Sequence, residues 1–373
     1  MTSTTLNPLD TATIGQLDIK VTRVPRTRVM PKAADLGFGK IFTDHMFAMD
    51  YEDGRGWFDA RIVPYGPIAM DPGASALHYG QAMFDGCKAF RAKDGRVLLF
   101  RGLRHAARLT DGAPRLGMIA PSTAQVHEAM TRLVDFERDW VPDEAGASLY
   151  LRPTLIGTEG FLGVRAARKY MFFIILSPVG AYYQDGMKPV RIWVEKDFIR
   201  AAKGGLGAVK AGANYAASLF AASKAQERGY AQVLWLDALE HRYCEEVGVM
   251  NLFVQLNDEI VTAPLGGTIL NGVTRDSVMT LLRNWGYTVN ERRYAFDEIV
   301  NAKKNGTLGE VFGTGTAAVV SPVAEFGHKD GSLHVSDGQV GPVTQRIHST
   351  LTSIQYGGAP DPYGWTEEIK GVA

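Results

Sequence analysis

A run of turn-forming residues near the middle of the chain separates two stretches that each carry strand-like and helix-like patterns. The run is Pro178-Val179-Gly180-Ala181-Tyr182-Tyr183-Gln184-Asp185-Gly186, and its proline and glycines interrupt regular structure. A chain of 373 residues is long enough to bury the cores of two domains. The sequence therefore predicts a mixed α/β fold, with a smaller domain over residues 1–178, a linker over residues 179–189 and a larger domain over residues 190–373. Ligands commonly bind in the cleft between two such domains.

Periodicity and capping signals locate the individual elements. Ser122 and Gln125 have the spacing of a capping box, and an apolar face recurs after them, so a helix is predicted to begin there. Thr274 begins a second well-marked helix, and Gly286 ends it. Residues 1–16 are polar and rich in threonine, which predicts a loose arm. Strands are predicted over residues 148–156, 170–177, 190–195, 232–236, 242–247 and 251–256.

The charge and cysteine content exclude several classes of protein. Forty basic and forty acidic side chains cancel, so no net charge attracts the chain to nucleic acid or to a membrane. The longest strongly apolar run, residues 170–176, is far too short to cross a bilayer, and no signal peptide is expected. Cys87 and Cys244 fit neither a zinc motif nor a disulfide framework. These features predict a cytoplasmic protein without a metal site.

A single lysine lies in a segment of small residues, Gly204-Gly205-Leu206-Gly207-Ala208-Val209-Lys210-Ala211-Gly212-Ala213-Asn214-Tyr215. A helix is predicted to follow, from about residue 214 to residue 228. The small residues leave room for a bulky ligand beside Lys210, and glycine lets the backbone approach that ligand closely. A buried lysine amine can lose its proton near neutral pH and form a Schiff base with a carbonyl. Taken alone, however, the segment favours an exposed surface lysine, because perturbed lysines are rare.

Two segments rich in glycine and threonine are candidates for binding an anion. Gly272-Val273-Thr274 begins a predicted helix, whose free backbone N–H groups and positive dipole end suit a phosphate. Ordinary capping by Thr274 is the commoner meaning of such a residue. Gly313-Thr314-Gly315-Thr316-Ala317 offers hydroxyl and N–H groups that could bind the same phosphate. Neither segment matches a P-loop or a dinucleotide fingerprint.

Two predicted strands carry polar side chains that suggest further contacts. Strand alternation places Tyr150 and Arg152 on one face, where they could recognise a carboxylate or simply lie on a half-exposed sheet. Glu245 and Glu246 interrupt an otherwise apolar strand region, so one of the two carboxylates is expected to face solvent and the other to point inward. A buried carboxylate needs a partner, and a protonated ring nitrogen would serve.

Taken together, these strings resemble those of the branched-chain amino acid aminotransferases, pyridoxal-phosphate enzymes of fold type IV. The resemblance covers residues 37–365, which is nearly the whole chain. The strings that carry it are residues 77–79, 84–90, 149–153, 177–182, 210–215, 246–251, 272–275 and 312–317. Each segment alone is weak evidence for the family, whereas the combination of all of them is highly specific to it.

The resemblance implies a role for each matching residue. Lys210 would carry pyridoxal phosphate as a Schiff base and move the proton of the substrate Cα. Glu246 would pair with the pyridine nitrogen, and Tyr215 would contact the phenolate oxygen of the cofactor. The residues implied for the cofactor phosphate are Arg101, Val273, Thr274 and Thr316. The residues implied for the substrate are Tyr79, Phe84, Tyr150, Arg152, Tyr182 and Ala317.

The resemblance also implies a reaction and an assembly. The reaction would move an amino group between L-leucine, L-isoleucine or L-valine and 2-oxoglutarate. Tyr79 would reach the active site of a second subunit, so a homodimer is expected. The chain departs from the common family pattern at Ala213 and Val249, and Ala318 and Ser321 stand where mammalian members carry a redox-active cysteine pair.

Other functions remain open at this point. A D-amino acid aminotransferase and an aminodeoxychorismate lyase share the fold and the cofactor. A cofactor-free Schiff-base aldolase would need Lys210 but neither Glu246 nor a phosphate site. A non-catalytic homologue is disfavoured because every expected functional residue type is present.

Overall fold

The computed structural model describes residues 17–25, 29–181 and 187–371, and the predicted arm over residues 1–16 lies outside this description. Before residue 182 the elements are β1 (Lys20–Val21), α1 (Ala33–Leu36), β2 (His45–Glu52), β3 (Gly56–Pro64), α2 (Ser75–His78), β4 (Ala82–Phe84), β5 (Cys87–Arg91), β6 (Val97–Phe100), α3 (Gly102–Gly112), α4 (Thr123–Phe136), β7 (Ser148–Gly157) and β8 (Lys169–Val179), so β8 extends one residue into the predicted linker. After it come β9 (Val190–Val194), α5 (Gly212–Glu227), β10 (Gln232–Leu236), β11 (Cys244–Val247), β12 (Met250–Leu256), β13 (Glu259–Thr262), α6 (Val273–Asn284), β14 (Thr288–Glu291), α7 (Phe296–Lys304), β15 (Leu308–Gly315), β16 (Val319–His328), β17 (Gly331–His334), α8 (Pro342–Gln355) and β18 (Thr366–Glu368).

The capping signals of the sequence appear at the ends of the two helices that they predict. At the start of α4, the Ser122 hydroxyl accepts the Gln125 N–H at 3.2 Å, and the Gln125 side chain accepts the Ser122 N–H at 3.0 Å. This reciprocal pair satisfies two N–H groups that a helix start otherwise leaves free. Helix α6 begins one residue before Thr274, and Gly286 follows its end with a positive φ of 86°.

The first sheet has the strand order β1-β3-β2-β8-β7-β5-β6-β18, and β4 pairs with β7. Its core packs against α3 and α4 through side chains such as Leu109, Val126 and Leu133. Strand β18 comes from the far end of the chain and pairs antiparallel with β6, with Thr366 opposite Phe100. The first sheet therefore takes a strand from the range that the sequence assigned to the second domain.

The second sheet curls into a closed barrel. Its order is β11-β10-β9-β16-β15-β12, and β12 pairs again with β11, where Glu246 lies opposite Asn251. Strands β13 and β14 extend the sheet from β12, and β17 pairs with β16. Closure of the ring leaves no free strand edge among its members. It also brings β11, β12 and β15 together at one place.

A third hydrophobic cluster joins the two halves. Phe90 and Phe100 from the first half pack with residues of α6, α8, β12 and β15, among them Phe253, Phe312 and Ile347. The ring centroids of Phe253 and Phe312 lie 5.4 Å apart. This shared core fixes the edge of the first sheet beside α6 and the turn between β15 and β16.

Neither a membrane span nor a metal-binding cluster occurs among the described residues. No helix in the ranges 17–25, 29–181 and 187–371 combines the length and apolar character that crossing a membrane requires. Within the same ranges, His, Cys, Asp and Glu side chains form no group suited to hold a metal ion.

Candidate active site

A cavity of about 310 Å³ lies where the two halves meet. The first half contributes Phe38, the end of β4 with the turn after it, and residues of α3 and β7. The second half contributes the segment before α5, the start of α6 and the turn between β15 and β16. The sequence-predicted residues that line the cavity are Phe84, Tyr150, Arg152, Lys210, Tyr215, Val273, Thr274, Thr316 and Ala317.

Lys210 lies just before α5, in the segment that the sequence singled out. Its Nζ donates to the Tyr215 hydroxyl at 2.6 Å, one helical turn away, and lies 4.9 Å from the centre of the Phe84 ring. Its backbone carbonyl accepts the Phe84 N–H at 3.1 Å, which ties the segment to the first sheet. Desolvation and the nearby Arg108 guanidinium lower the pKa of Lys210 to about 7. A substantial fraction of this amine is therefore neutral and nucleophilic at physiological pH.

Tyr150 and Arg152 both face the cavity from β7, as the alternation of a strand requires. Arg152 Nη2 donates to the Tyr150 hydroxyl at 3.1 Å, and the guanidinium carbon lies 4.5 Å from the centre of the Phe84 ring. Gly86 makes room for this pair, because a Cβ there would come within 1.9 Å of the Tyr150 hydroxyl. Arg152 Nε is buried and has no partner among the described residues. The pair therefore offers free donor capacity to a carboxylate.

Glu246 lies on β11 in a small recess that shares Tyr215 with the main cavity. Its Oε1 accepts the Asn251 side-chain amide at 3.1 Å and the Leu270 backbone N–H at 3.0 Å, and its Oε2 lies 2.7 Å from Arg200 Nε. Burial raises the pKa of Glu246 against the opposing charge of Arg200. These three partners fix the orientation of the carboxylate beside the cavity.

Glu245 does not line this recess, but it is buried as well, so the expectation that one of the two carboxylates faces solvent is wrong. Its Oε1 accepts the Thr268 hydroxyl at 2.6 Å, and burial raises its pKa to about 7. The sequence limited the inward carboxylate to one of the two glutamates, and the strand geometry places Glu246 on the cavity side.

The start of α6 and the turn between β15 and β16 form one end of the cavity. Gly272, Val273 and Thr274 line it, and no side chain caps the helix, so the commoner interpretation of Thr274 as an ordinary cap does not apply. Thr314 also lines the cavity, and its buried hydroxyl has no partner within the described ranges. Free helix N–H groups beside an unpaired hydroxyl make a suitable anion site.

The structure does not place Arg101 at this cavity. Arg101 precedes α3 in a left-handed conformation, with φ 53°, and Nη1 contacts Asp276 Oδ2 at 2.6 Å and the Ser277 hydroxyl at 2.8 Å on α6. Arg108, two turns along α3, lines the cavity instead and donates from Nη1 to the carbonyl of Asn271 at 3.1 Å. No local signal in the sequence separates these two arginines.

Of the other predicted residues, Tyr79 lies apart from the cavity. Tyr79 follows α2, is 44% exposed, and its hydroxyl donates to the carbonyl of Leu162 rather than contacting Lys210. Tyr182 lies outside the described residues. Sequence reasoning missed Arg108 and Arg200, because each takes its place through contacts with residues distant along the chain.

Both cysteines are buried and unpaired with each other. Burial raises the pKa of Cys87 and of Cys244 well above the ordinary value. A thiol with a raised pKa forms little of the reactive thiolate near neutral pH. Neither cysteine lines the cavity.

Comparisons with known proteins agree with this arrangement. A family model for class IV aminotransferases matches residues 83–326. A branched-chain-amino-acid transaminase 1 of Bacillus subtilis is 52% identical over 340 residues, covering 91% of this chain and 96% of the relative. A branched-chain-amino-acid aminotransferase 2 of the same organism is 49% identical over 354 residues, covering 95% and 98%. The chain belongs to the class IV aminotransferases.

Solved structures carry the same fold. The branched-chain amino acid aminotransferase of Escherichia coli superposes with a TM-score of 0.73 at 26% identity, covering 88% of this chain and 100% of that one. The holo-form of a branched-chain amino acid aminotransferase from Thermobaculum terrenum, which holds pyridoxal phosphate, superposes with a TM-score of 0.70 at 22% identity, covering 88% and 99%. Class IV aminotransferases depend on pyridoxal phosphate, so the fold, the family and the cofactor expected from the sequence are confirmed.

The residues of the cavity fit this cofactor. The Lys210 amine, whose pKa is lowered to about 7, suits attachment to an aldehyde. Glu246 offers a buried carboxylate that would suit a protonated ring nitrogen as its partner. The unpaired Thr314 hydroxyl and the start of α6 offer donors to a phosphate.

Proposed function

We propose that this aminotransferase moves the amino group of L-leucine, L-isoleucine or L-valine reversibly to 2-oxoglutarate, giving the branched 2-oxo acid and L-glutamate. The observation that carries the proposal is the composition of one cavity. It joins the Lys210 amine, the aromatic wall of Phe84 and the polar pair of Tyr150 and Arg152. The names of the similar proteins support the same substrate class.

The cavity has to accept both an apolar and an acidic side chain. Phe38 and Phe84 supply an apolar wall, against which each buried methylene of leucine gains about 0.8 kcal/mol. Glutamate would direct its distal carboxylate to Arg152, whose unpaired Nε and tyrosine-bound Nη2 lie at the same wall.

The proton transfers depend on Lys210 and its neighbours. Bound pyridoxal phosphate supplies a ring that stabilises negative charge on the substrate Cα. The neutral Lys210 amine can take the proton from Cα, and the Tyr215 hydroxyl at 2.6 Å orients it. The Glu246 carboxylate would hold a proton on the pyridine nitrogen through a charge-assisted hydrogen bond.

Arg108 is a better candidate than Arg101 for the cofactor phosphate. Arg108 lies at the cavity beside the start of α6, together with Val273, Thr274 and Thr316, whereas Arg101 is bonded to the side of that helix. We expect Arg108→Leu to weaken the binding of pyridoxal phosphate and to leave the binding of pyridoxal, which lacks the phosphate, nearly unchanged. Arg101→Leu is the matched control. If Arg101→Leu alone shows this discrimination, the original prediction of Arg101 is right and Arg108 is not the phosphate ligand.

A homodimer is also part of the proposal. Helix α5 carries Leu219 and Phe220 at 67% and 58% exposure, and of its residues only Ala221 and Ala225 are buried. A second exposed apolar group surrounds Tyr79 and includes Leu77 and Leu162. Exposed apolar patches of this kind mark association surfaces. We also propose that the chain divides into two domains with a linker over residues 179–189, and that the protein is cytoplasmic.

Substrate kinetics test the proposed reaction. L-leucine with 2-oxoglutarate should be turned over far faster than L-alanine, and D-leucine should be inert. A preference for D-leucine would instead identify a D-amino acid aminotransferase, and release of pyruvate from aminodeoxychorismate would identify the lyase.

Substitution of Arg152 tests how the two substrates share the cavity. Arg152→Ala should raise KM for L-glutamate and 2-oxoglutarate more than KM for L-leucine, because only the acidic substrates place a second carboxylate at this wall. An equal increase in KM for all three substrates would contradict the proposal that Arg152 binds the second carboxylate of the acidic substrates.

A further inference from the structure

Asp85, His105 and Arg108 form a buried ionic cluster at the cavity wall, and only Arg108 has been given a role so far. Asp85 stands between Phe84 and Gly86, which both line the cavity, yet its own side chain is fully buried outside it. His105 and Arg108 face Asp85 from successive turns of α3. The three side chains thus join the segment after β4 to α3.

Asp85 holds the guanidinium of Arg108 by two parallel hydrogen bonds. Arg108 Nε donates to Asp85 Oδ2 at 2.8 Å, and Arg108 Nη2 donates to Asp85 Oδ1 at 2.8 Å. This fork geometry fixes both the position and the plane of the guanidinium. The remaining nitrogen, Nη1, is directed to the carbonyl of Asn271 at the start of α6.

His105 and a backbone amide fix Asp85 in turn. His105 Nδ1 donates to Asp85 Oδ1 at 2.8 Å, and the Gly86 N–H donates to the same oxygen at 2.7 Å. Burial would raise the pKa of Asp85, but Arg108 and His105 hold it well below its ordinary value, so the carboxylate is charged. Burial lowers the pKa of His105, so its ring is neutral and carries its proton on Nδ1.

We propose that Asp85 is a positioning residue that aims Arg108 at the phosphate end of the cavity, and that His105 orients Asp85. The inference rests on the proposed role of Arg108 in binding the cofactor phosphate. An arginine side chain loses considerable rotamer freedom when it is fixed by a ligand. Because the cluster fixes Arg108 before the cofactor binds, less of that cost falls on cofactor binding.

The affinity for pyridoxal phosphate divided by the affinity for pyridoxal measures this effect, and it is called the ratio below. Dissociation constants of pyridoxal phosphate and of pyridoxal are determined by absorbance on the full chain freed of cofactor. Asp85→Asn should lower the affinity for pyridoxal phosphate about tenfold and change that for pyridoxal by less than about twofold, because only the former carries the group that Arg108 contacts. Asp85→Glu, which keeps the charge, should retain part of the difference. Asp276→Asn, which removes the carboxylate beside Arg101 outside the cavity, is the matched control and should leave the ratio unchanged.

A double-mutant cycle shows whether Asp85 acts through Arg108. Arg108→Leu alone should lower the ratio. The double variant that also carries Asp85→Asn should have a ratio within about twofold of that of Arg108→Leu. If Arg108→Leu lowers the ratio and Asp85→Asn does not, the inference is overturned and the proposed phosphate contact stands. If Arg108→Leu leaves the ratio unchanged, the proposed role of Arg108 fails and the inference fails with it.

A second variant, His105→Phe, tests the same inference if Asp85→Asn does not fold. His105→Phe removes the donor to Asp85 but preserves a buried ring, and it should lower the ratio of the two affinities about threefold. His105→Gln, which keeps an N–H donor, should restore part of the loss. An unchanged ratio in His105→Phe, or equal weakening of both ligands, would mean that the cluster serves only the stability of α3.

Discussion

At the scale of single residues, two adjacent glutamates face different surroundings. Glu246 is bonded to Arg200, Asn251 and the Leu270 N–H beside the cavity, whereas Glu245 is bonded to Thr268 away from it. We expect Glu246→Gln to remain folded and yellow, with kcat lowered a few hundredfold, because a loss of roughly 3–4 kcal/mol of transition-state stabilisation gives that factor. Steady-state kinetics with L-leucine measure the change, which should fall on kcat more than on KM.

Glu245→Gln is the matched control for this experiment. The pKa of Glu245 is raised to about 7, so its neutral form is already well populated, and a glutamine carbonyl can still accept the Thr268 hydroxyl. Activity should stay close to that of the wild type. Should Glu245→Gln prove to be the inactive variant, the assignment of the two faces of β11 would be wrong.

A second prediction at this scale concerns the amine of Lys210. Its pKa is lowered to about 7 in the protein without cofactor, chiefly by burial, so the reactive neutral fraction rises steeply between about pH 6 and about pH 8. The rate at which cofactor-free protein captures pyridoxal phosphate should increase over this window with a midpoint near pH 7. Stopped-flow absorbance at the chromophore band measures the rate. A rise that begins only above about pH 9 would show that Lys210 has the pKa of an ordinary exposed lysine.

At the scale of elements, the start of α6 is packed closely against β12. A Cβ at Gly272 would come within 2.0 Å of Asn251 Oδ1, and Asn251 also donates to Glu246. Gly272→Ala should therefore displace the Asn251 amide, lower the free energy of unfolding by about 1–3 kcal/mol and weaken cofactor binding. Urea unfolding and absorbance titration provide the two readouts.

Gly266→Ala is the control for backbone effects. A Cβ at Gly266 meets no atom closer than 3.9 Å, and this glycine does not have a positive φ. Stability and cofactor affinity should both remain near those of the wild type. If Gly272→Ala behaved in the same way, Asn251 would not link α6 to the carboxylate of Glu246.

At the scale of the whole molecule, the proposed dimer has a direct consequence. Tyr79 does not line the cavity of its own subunit, and in the proposed dimer it would serve the cavity of the neighbouring one. A Lys210→Ala subunit and a Tyr79→Ala subunit should each be poorly active alone. When the two are co-expressed, a mixed dimer regains one complete site, and random pairing restores about a quarter of all sites. Activity of the purified mixed dimer checks this prediction.

Pairing Lys210→Ala with a second Lys210 variant, Lys210→Met, is the control, and it should restore nothing. A mixed dimer of the Tyr79 and Lys210 variants that stays inactive would contradict the sharing of Tyr79 between subunits. Light scattering that finds a monomer would contradict the dimer itself.

The local part of this structure follows from the sequence. The alternation that puts Tyr150 and Arg152 on one face depends only on the geometry of a strand, and the capping box at Ser122 depends only on residues within one helical turn. Lys210 and Tyr215 meet for the same reason, because a short stretch leads directly into α5. The resemblance of these strings to a known family extended the prediction to the fold and the cofactor.

Tertiary structure alone decided which distant side chains meet. Arg101 and Arg108 lie on one short segment, but the left-handed backbone at Arg101 turns its side chain toward Asp276, while Asp85 holds Arg108 at the cavity. Arg200 lies between β9 and α5 and reaches Glu246 on β11 through a contact between elements that are separate along the chain. Strand β18 joins the first sheet by pairing with β6, a contact whose free energy depends on residues more than two hundred positions apart. Local periodicity carries no information about such pairings, since it reports only which face of an element is buried.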